Sequence, residues 1–232
     1  MRSHPAQREW ALYAQLNPLR EYLSILSERA SSGQVQVLDI GCGFDTKTLA
    51  RLSGFRVGID LVSVESFAPA AGVRVLRASG EQLPFSDHAF DIACCRSVLE
   101  HVENPVALFN EVHRVLRPGG AFVFVTPNRW DYVSVASSII PNRLHATLIQ
   151  SITGRAEEKT FPTLYRANTL GTIRRLARDA GLHVEVLRLC RQHPHYLRRN
   201  LAIYLLGVTF EQLVQRPVPA LRPWILGVLR RP

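Results

Sequence analysis

The residues whose types and spacing could do chemistry begin in the segment 37–43, Val-Leu-Asp-Ile-Gly-Cys-Gly. An apolar run enters a Gly-x-Gly turn, with Asp39 two positions before Gly41, and Cys42 between Gly41 and Gly43. A turn of this kind lets a ligand approach the backbone, and the helix expected after it offers free N–H groups. Asp60 closes the next apolar run, where a carboxylate can accept both hydroxyls of a ribose. A dinucleotide-binding turn wants a third glycine where Thr46 stands, and Asp39 and Asp45 flanking the turn are unwelcoming to a pyrophosphate. A ribose-bearing ligand with a positive charge and no phosphate suits the pattern better, and S-adenosylmethionine has all three properties. The competing reading is that Asp39 only satisfies turn amides.

The elements that must position these residues follow from periodicity. Short β-rich apolar runs alternate with helical periodicity, as in parallel α/β architecture. Strands are expected at residues 35–40, 55–60, 73–76, 90–95, 121–126 and 183–189, with a seventh at 224–230. Asn104 and Pro105 open a helix whose apolar stripe is Leu108, Val112, Val115 and Leu116, and Pro118-Gly119-Gly120 stops it. A helix over residues 169–180 is expected to be capped by Asn168 and ended by Gly181, and residues 10–26 read as helical ahead of the first strand. The economical division is one domain over residues 1–232: a helical cap (1–32), a core (33–128), an insertion expected to form a lid (129–165) and a C-terminal half (166–232).

Composition narrows the partners. The 232 residues carry 28 Lys/Arg and 19 Asp/Glu, net +9, and the imbalance is local. Residues 1–140 hold 13 basic and 14 acidic groups (net −1), and residues 141–232 hold 15 and 5 (net +10). Four cysteines (Cys42, Cys94, Cys95, Cys190) lack metal-ligand spacing, so no metal is expected. The first ten residues are polar and no apolar stretch is long enough for a spanning helix, so the expectation is a soluble cytoplasmic protein without a secretory signal.

Five blocks in order, VLDIGCG, GIDL, GEQLPFSDHAFD, SVLEHVENP and RVLRPGGAFVFVTPN, resemble those of class I S-adenosylmethionine-dependent methyltransferases of the small-molecule type. The resemblance covers residues 35–128 and, more loosely, 165–181. It implies a Rossmann-like, seven-stranded, mostly parallel sheet with helices on both faces and an antiparallel last strand. It also implies that Asp39, Gly41, Cys42 and Gly43 surround the methionine moiety and that Asp60 and Leu61 meet the ribose. Ser79, Gly80, Glu81 and Gln82 would form the adenine block, with Arg96, Ser97 and His101 on the loop after the fourth strand. Ser79 stands where relatives often carry an Asp, and Asp45 where they often carry a third Gly.

Methyl transfer is an in-line displacement, so the protein supplies alignment, water exclusion and, for a hydroxyl acceptor, a base. His101 is the first candidate base, and His145, near Asp131 and Tyr132 in the insertion, the second. The expected reaction moves a methyl group to a small-molecule acceptor, at oxygen by preference and otherwise at nitrogen or carbon. The rivals are an S-adenosylmethionine-binding protein or partner subunit without its own transfer activity, and a NAD-dependent oxidoreductase. The C-terminal arginines flank an amphipathic helix expected over residues 196–213. They read as a solvated face or as a peripheral contact with an anionic membrane; nucleic acid is disfavoured, because no interleaved aromatic-basic patch is present. Arg166 is expected either to meet an acidic group of the substrate or to sit on the surface at the start of the next helix.

Overall fold

The computed structural model describes residues 17–31, 34–43, 46–62, 65, 68–130, 161–191, 205, 209, 213 and 217–232. His145, Asp131, Tyr132, Asp45 and nearly all of the expected helix over residues 196–213 lie outside them.

The seven expected strands are present: β1 (Gln36–Ile40), β2 (Phe55–Asp60), β3 (Val73–Arg77), β4 (Phe90–Arg96), β5 (Leu116–Pro127), β6 (His183–Cys190) and β7 (Trp224–Arg230). They form one sheet in the order β3-β2-β1-β4-β5-β7-β6. β1 lies parallel between β2 and β4 with a core on each face, so Val37–Ile40 are all buried, Asp39 among them. β7 pairs antiparallel with both β5 and β6, and β6 therefore points the same way as β1–β5.

Strand parity separates two cores. Leu38, Ile40, Val57, Ile59, Cys95, Phe122 and Phe124 face one side, where they meet α2 (Pro105–Val115) and α3 (Leu170–Asp179) through Phe109, Val112, Ile173 and Leu176. Phe109 meets the Phe122 ring edge-to-face, with centroids 5.9 Å apart. Val37, Ile92, Cys94, Val123, Val125 and Leu226 face the other side, against α1 (Pro18–Arg29) through Tyr22 and Leu26. Gly227 belongs where the strands cross the large ring of Phe124, since a Cβ there would come within 2.1 Å of it.

Several boundaries differ from the sequence expectation. α1 is capped by Asn17, whose Oδ1 accepts from Leu19 N at 3.0 Å, and runs to Arg29, past the expected end at residue 26. α2 is capped by Asn104 as expected, with Oδ1 accepting from Ala107 N. The cap of α3 is Thr169, one residue later than expected: its Oγ1 accepts from Thr172 N, while Asn168 is fully buried and donates to Thr126 Oγ1 and Pro127 O. Pro118-Gly119-Gly120 does follow α2, but it lies within the span of β5, where a register shift opposite residues 90–92 absorbs it.

Candidate active site

The carboxyl ends of β1 and β2 and the segments following β1, β2, β3 and β4, with Leu108 of α2 and Phe161 and Pro162, enclose a cavity of about 470 Å³, within the range of small-ligand sites. Gly41 turns the chain out of β1 at φ +69°, and a Cβ there would lie 2.4 Å from Val98 Cγ2, so only glycine lets the two loops close together. Gly43 is also left-handed, at φ +68°, with open space where a Cβ would stand. Thr46, at the position a dinucleotide turn reserves for glycine, adopts φ +47° and accepts from Ala70 N through Oγ1 at 2.9 Å. The left-handed geometry is thus present with a threonine holding it.

Asp60 ties the turn together. Its Oδ2 accepts from Gly43 N at 3.1 Å and its Oδ1 from Val62 N at 3.3 Å, and each carboxylate oxygen has capacity for a second donor. Glu81 is similarly engaged, its Oε1 accepting from Glu103 N (2.9 Å) and Asn104 N (3.0 Å) ahead of α2. Ser79 Oγ accepts from Glu81 N at 3.1 Å, which folds residues 79–82 into a tight turn against the cavity.

His101 also lines the cavity. Its Nδ1 lies 3.1 Å from the Pro162 carbonyl oxygen, and its ring is 6.3 Å from that of Phe161. A carbonyl only accepts, so this contact takes an Nδ1–H, and in the neutral ring that tautomer leaves the lone pair on Nε2. The segment holding Phe161 and Pro162 is fastened from several points. Leu164 N and Tyr165 N donate to Glu100 O, and the Arg166 guanidinium donates to Glu103 O. Behind them Asn168 Nδ2 donates to Thr126 Oγ1 (2.7 Å), which donates to Glu100 Oε2 (3.0 Å). Burial raises the pKa of the Glu100 carboxyl.

Of the residues singled out from sequence, Gly41, Asp60, Leu61, Ser79, Gly80, Glu81, Ser97 and His101 line this cavity. Asp39, Cys42, Gly43, Gln82 and Arg96 are not in its lining. Asp39 is only 2% exposed and faces α1: it follows the parity of Val37, and Cys94 Sγ donates to its Oδ1 at 3.5 Å. Burial pushes its pKa up to about 7, against the pull of the Cys94 hydrogen bond and the Arg96 guanidinium. Sequence reasoning did not single out Phe161, Pro162 or Glu103. The first two lie at the end of the expected lid, and only their proximity to His101 reveals them.

The lining contains three carboxylates, Asp60, Glu81 and Glu103, and no Lys or Arg among the described residues. Such a wall repels polyphosphates and favours a cationic ligand. Residues 38–124 match the family model described as a methyltransferase domain. The chain is 33% identical, over 80% of its length and 75% of the relative's, to a ubiquinone biosynthesis O-methyltransferase of Xylella fastidiosa. The chain belongs to the class I S-adenosylmethionine-dependent methyltransferases.

A second relative of the same description, from Hahella chejuensis, is 31% identical over 53% of this chain, and the matched region spans 56% of that relative's length. The structure of an S-adenosylmethionine-dependent methyltransferase from Mesorhizobium loti superposes with a TM-score of 0.57 at 20% identity, covering 93% of this chain and 98% of that one. The sheet order and the antiparallel β7 are thus the family fold. In this methyltransferase no group of three His, Cys, Asp or Glu side chains converges as a metal site among the described residues. No helix among them is long and apolar enough to cross a membrane. Two of the C-terminal arginines have separate structural uses: Arg231 Nη1 donates to the carbonyls of His113, Arg114 and Leu116 at the end of α2, and Arg188 pairs with Glu21.

Proposed function

We propose that this methyltransferase moves the methyl group of S-adenosylmethionine to an oxygen of a small-molecule acceptor, with His101 as the base. The observation that carries the reading is the position of His101 in the cavity lining with Nδ1 3.1 Å from the Pro162 carbonyl oxygen: in the neutral ring that contact leaves Nε2 to take a proton from a hydroxyl acceptor. The relatives described as ubiquinone biosynthesis O-methyltransferases support oxygen as the acceptor atom and a small molecule as its bearer.

The residues present suit the cofactor. Asp60 lines the cavity with carboxylate oxygens for the ribose hydroxyls, Gly41 brings bare backbone to the cavity wall, and residues 79–81 form a tight turn on that wall for the adenine edge. Bound S-adenosylmethionine supplies a methyl group already activated by its sulfonium. The chain's own part is to exclude water, orient the acceptor and hold its proton. Ile40, Val98, Leu108 and Phe161 make the apolar part of the wall that excludes water. Asp39, Cys42, Gly43, Gln82 and Arg96 shape the turns and strand ends around the cavity, and His145 as base lies outside the described residues.

A panel of phenols, catechols, amines and carboxylates incubated with methyl-deuterated S-adenosylmethionine tests the proposal by mass spectrometry. The expected product carries the label on oxygen. His101→Gln should lower turnover of a phenol about 10²- to 10⁴-fold with cofactor affinity retained. Label on nitrogen or carbon refutes the oxygen assignment. Cofactor binding without product from any acceptor refutes transfer by this chain and favours a binding role.

A further inference from the structure

We propose that a small cavity between the first turn of α1, the end of β6 and the residues before β7 binds a phosphate-class oxyanion. The cavity holds about 140 Å³ and is lined by Arg188, Arg191 and Arg222, with Glu21, Asn17 and Pro18 opposite. That volume is below the roughly 300 Å³ at which sites for drug-sized ligands begin. It suits one oxyanion group, not a nucleotide.

Charge and hydrogen bonding point the same way. Three guanidinium groups share the lining with one carboxylate, Glu21, which is already paired with Arg188. Among the described residues, Arg191 Nε and Arg222 Nε are buried donors with no acceptor. Arg222 Nη1 reaches Leu189 O only at 3.4 Å. Buried N–H groups in folded proteins are nearly always satisfied, so two orphaned guanidinium donors beside one cavity call for an acceptor. A planar guanidinium fork matches two oxygens of a phosphate, and two or three such forks converge on one tetrahedral group. The first amides of α1 are taken, Leu19 N by Asn17 Oδ1, and Arg20 N and Glu21 N by Asn17 O. The helix therefore contributes its dipole and the arginines contribute the hydrogen bonds. Burial raises the pKa of the Cys190 thiol, so no thiolate competes for the guanidinium groups.

The site is distinct from the methyl-transfer cavity, with which it shares no lining residue. β6 runs parallel to β1–β5, which puts the arginines at the carboxyl edge of the sheet but on the α1 side, across from Ile40 and Leu108. The oxyanion could come from a soluble phosphate ester or from a lipid headgroup, and the two sources share the same chemistry at the site.

The test uses the full chain. Inorganic phosphate is titrated calorimetrically at constant ionic strength, and vesicles of phosphatidylglycerol with phosphatidylcholine are compared with phosphatidylcholine alone in flotation. Arg191→Gln and Arg222→Gln should each weaken phosphate binding about tenfold. S-Adenosylhomocysteine binding should survive in both, showing that the variants are folded and keeping this result separate from the transfer reading. Vesicle binding without phosphate binding, lost in Arg191→Gln but kept in the exposed α3 control Arg174→Gln, supports the site with a lipid headgroup as the source. No binding to either probe overturns the proposal. So does binding that Arg191→Gln and Arg222→Gln leave unchanged, or that Arg174→Gln weakens equally.

Discussion

Asp39→Asn should make this methyltransferase more stable at and above neutral pH, and the size of the effect follows from where the carboxyl sits. Asp39 is 2% exposed, faces the α1 side of β1, and has the Cys94 thiol as its hydrogen-bond donor. Burial raises its pKa from 3.8 to about 7. In the unfolded chain the group ionises near its ordinary value, so between about pH 4 and 7 the folded state binds the extra proton and stability falls as pH rises. The slope is about 1.4 kcal/mol per pH unit, and the full cost of the buried charge above pH 7 is roughly 4 kcal/mol. The amide introduced by the substitution would keep an acceptor for Cys94 and remove the titration. Urea denaturation of both proteins at pH 5, 6, 7 and 8 measures the difference, in which all other titrations cancel. Wild type should lose about 3 kcal/mol relative to the variant between pH 5 and 8. A flat difference across that range, or a variant that becomes relatively less stable as pH rises, refutes the buried-carboxyl argument.

Three further outcomes are expected. Asp60→Asn replaces an acceptor with a donor where Gly43 N and Val62 N both need one, so S-adenosylhomocysteine affinity measured by calorimetry should fall at least about tenfold. Glu81→Ala strips the carboxylate from Glu103 N and Asn104 N ahead of α2; its melting temperature should drop about 2–6 °C, for about 1–2 kcal/mol, with Glu81→Gln recovering part of the loss. Phe109→Ala empties a fully buried position against Phe122 and should cost about 3–5 kcal/mol, seen as a lower denaturation midpoint at unchanged slope.

Local patterns made much of this fold legible. The mostly apolar run of β1 and its Gly turn, the Asn104-Pro105 start of α2, and the glycine stop after α3 each depend on neighbours within a few residues. The cap of α3 was less legible because Asn168 and Thr169 are both good capping types. Tertiary packing chose between them: Asn168 was drawn into the buried Thr126–Glu100 chain, leaving Thr169 to cap. The charge excess was visible in composition, but its meaning was not. Arg231 is a helix cap and Arg188 an ion-pair partner, and neither use can be read from residues near them in the chain.

The sequence by itself determined the order of the blocks, the strand-and-glycine turn and the acidic residue closing β2, because these are properties of consecutive residues. Only the tertiary structure decided that Asp39 faces α1 while Ile40 faces the cavity, since alternation sets opposite faces but not which face the site occupies. It alone brought Phe161 and Pro162 to His101, made the cavity wall anionic with Asp60, Glu81 and Glu103, and gathered Arg188, Arg191 and Arg222 against Asn17 and Glu21. In each case the partners are tens to more than a hundred residues apart, and contact between them exists only once the two cores of the sheet have packed.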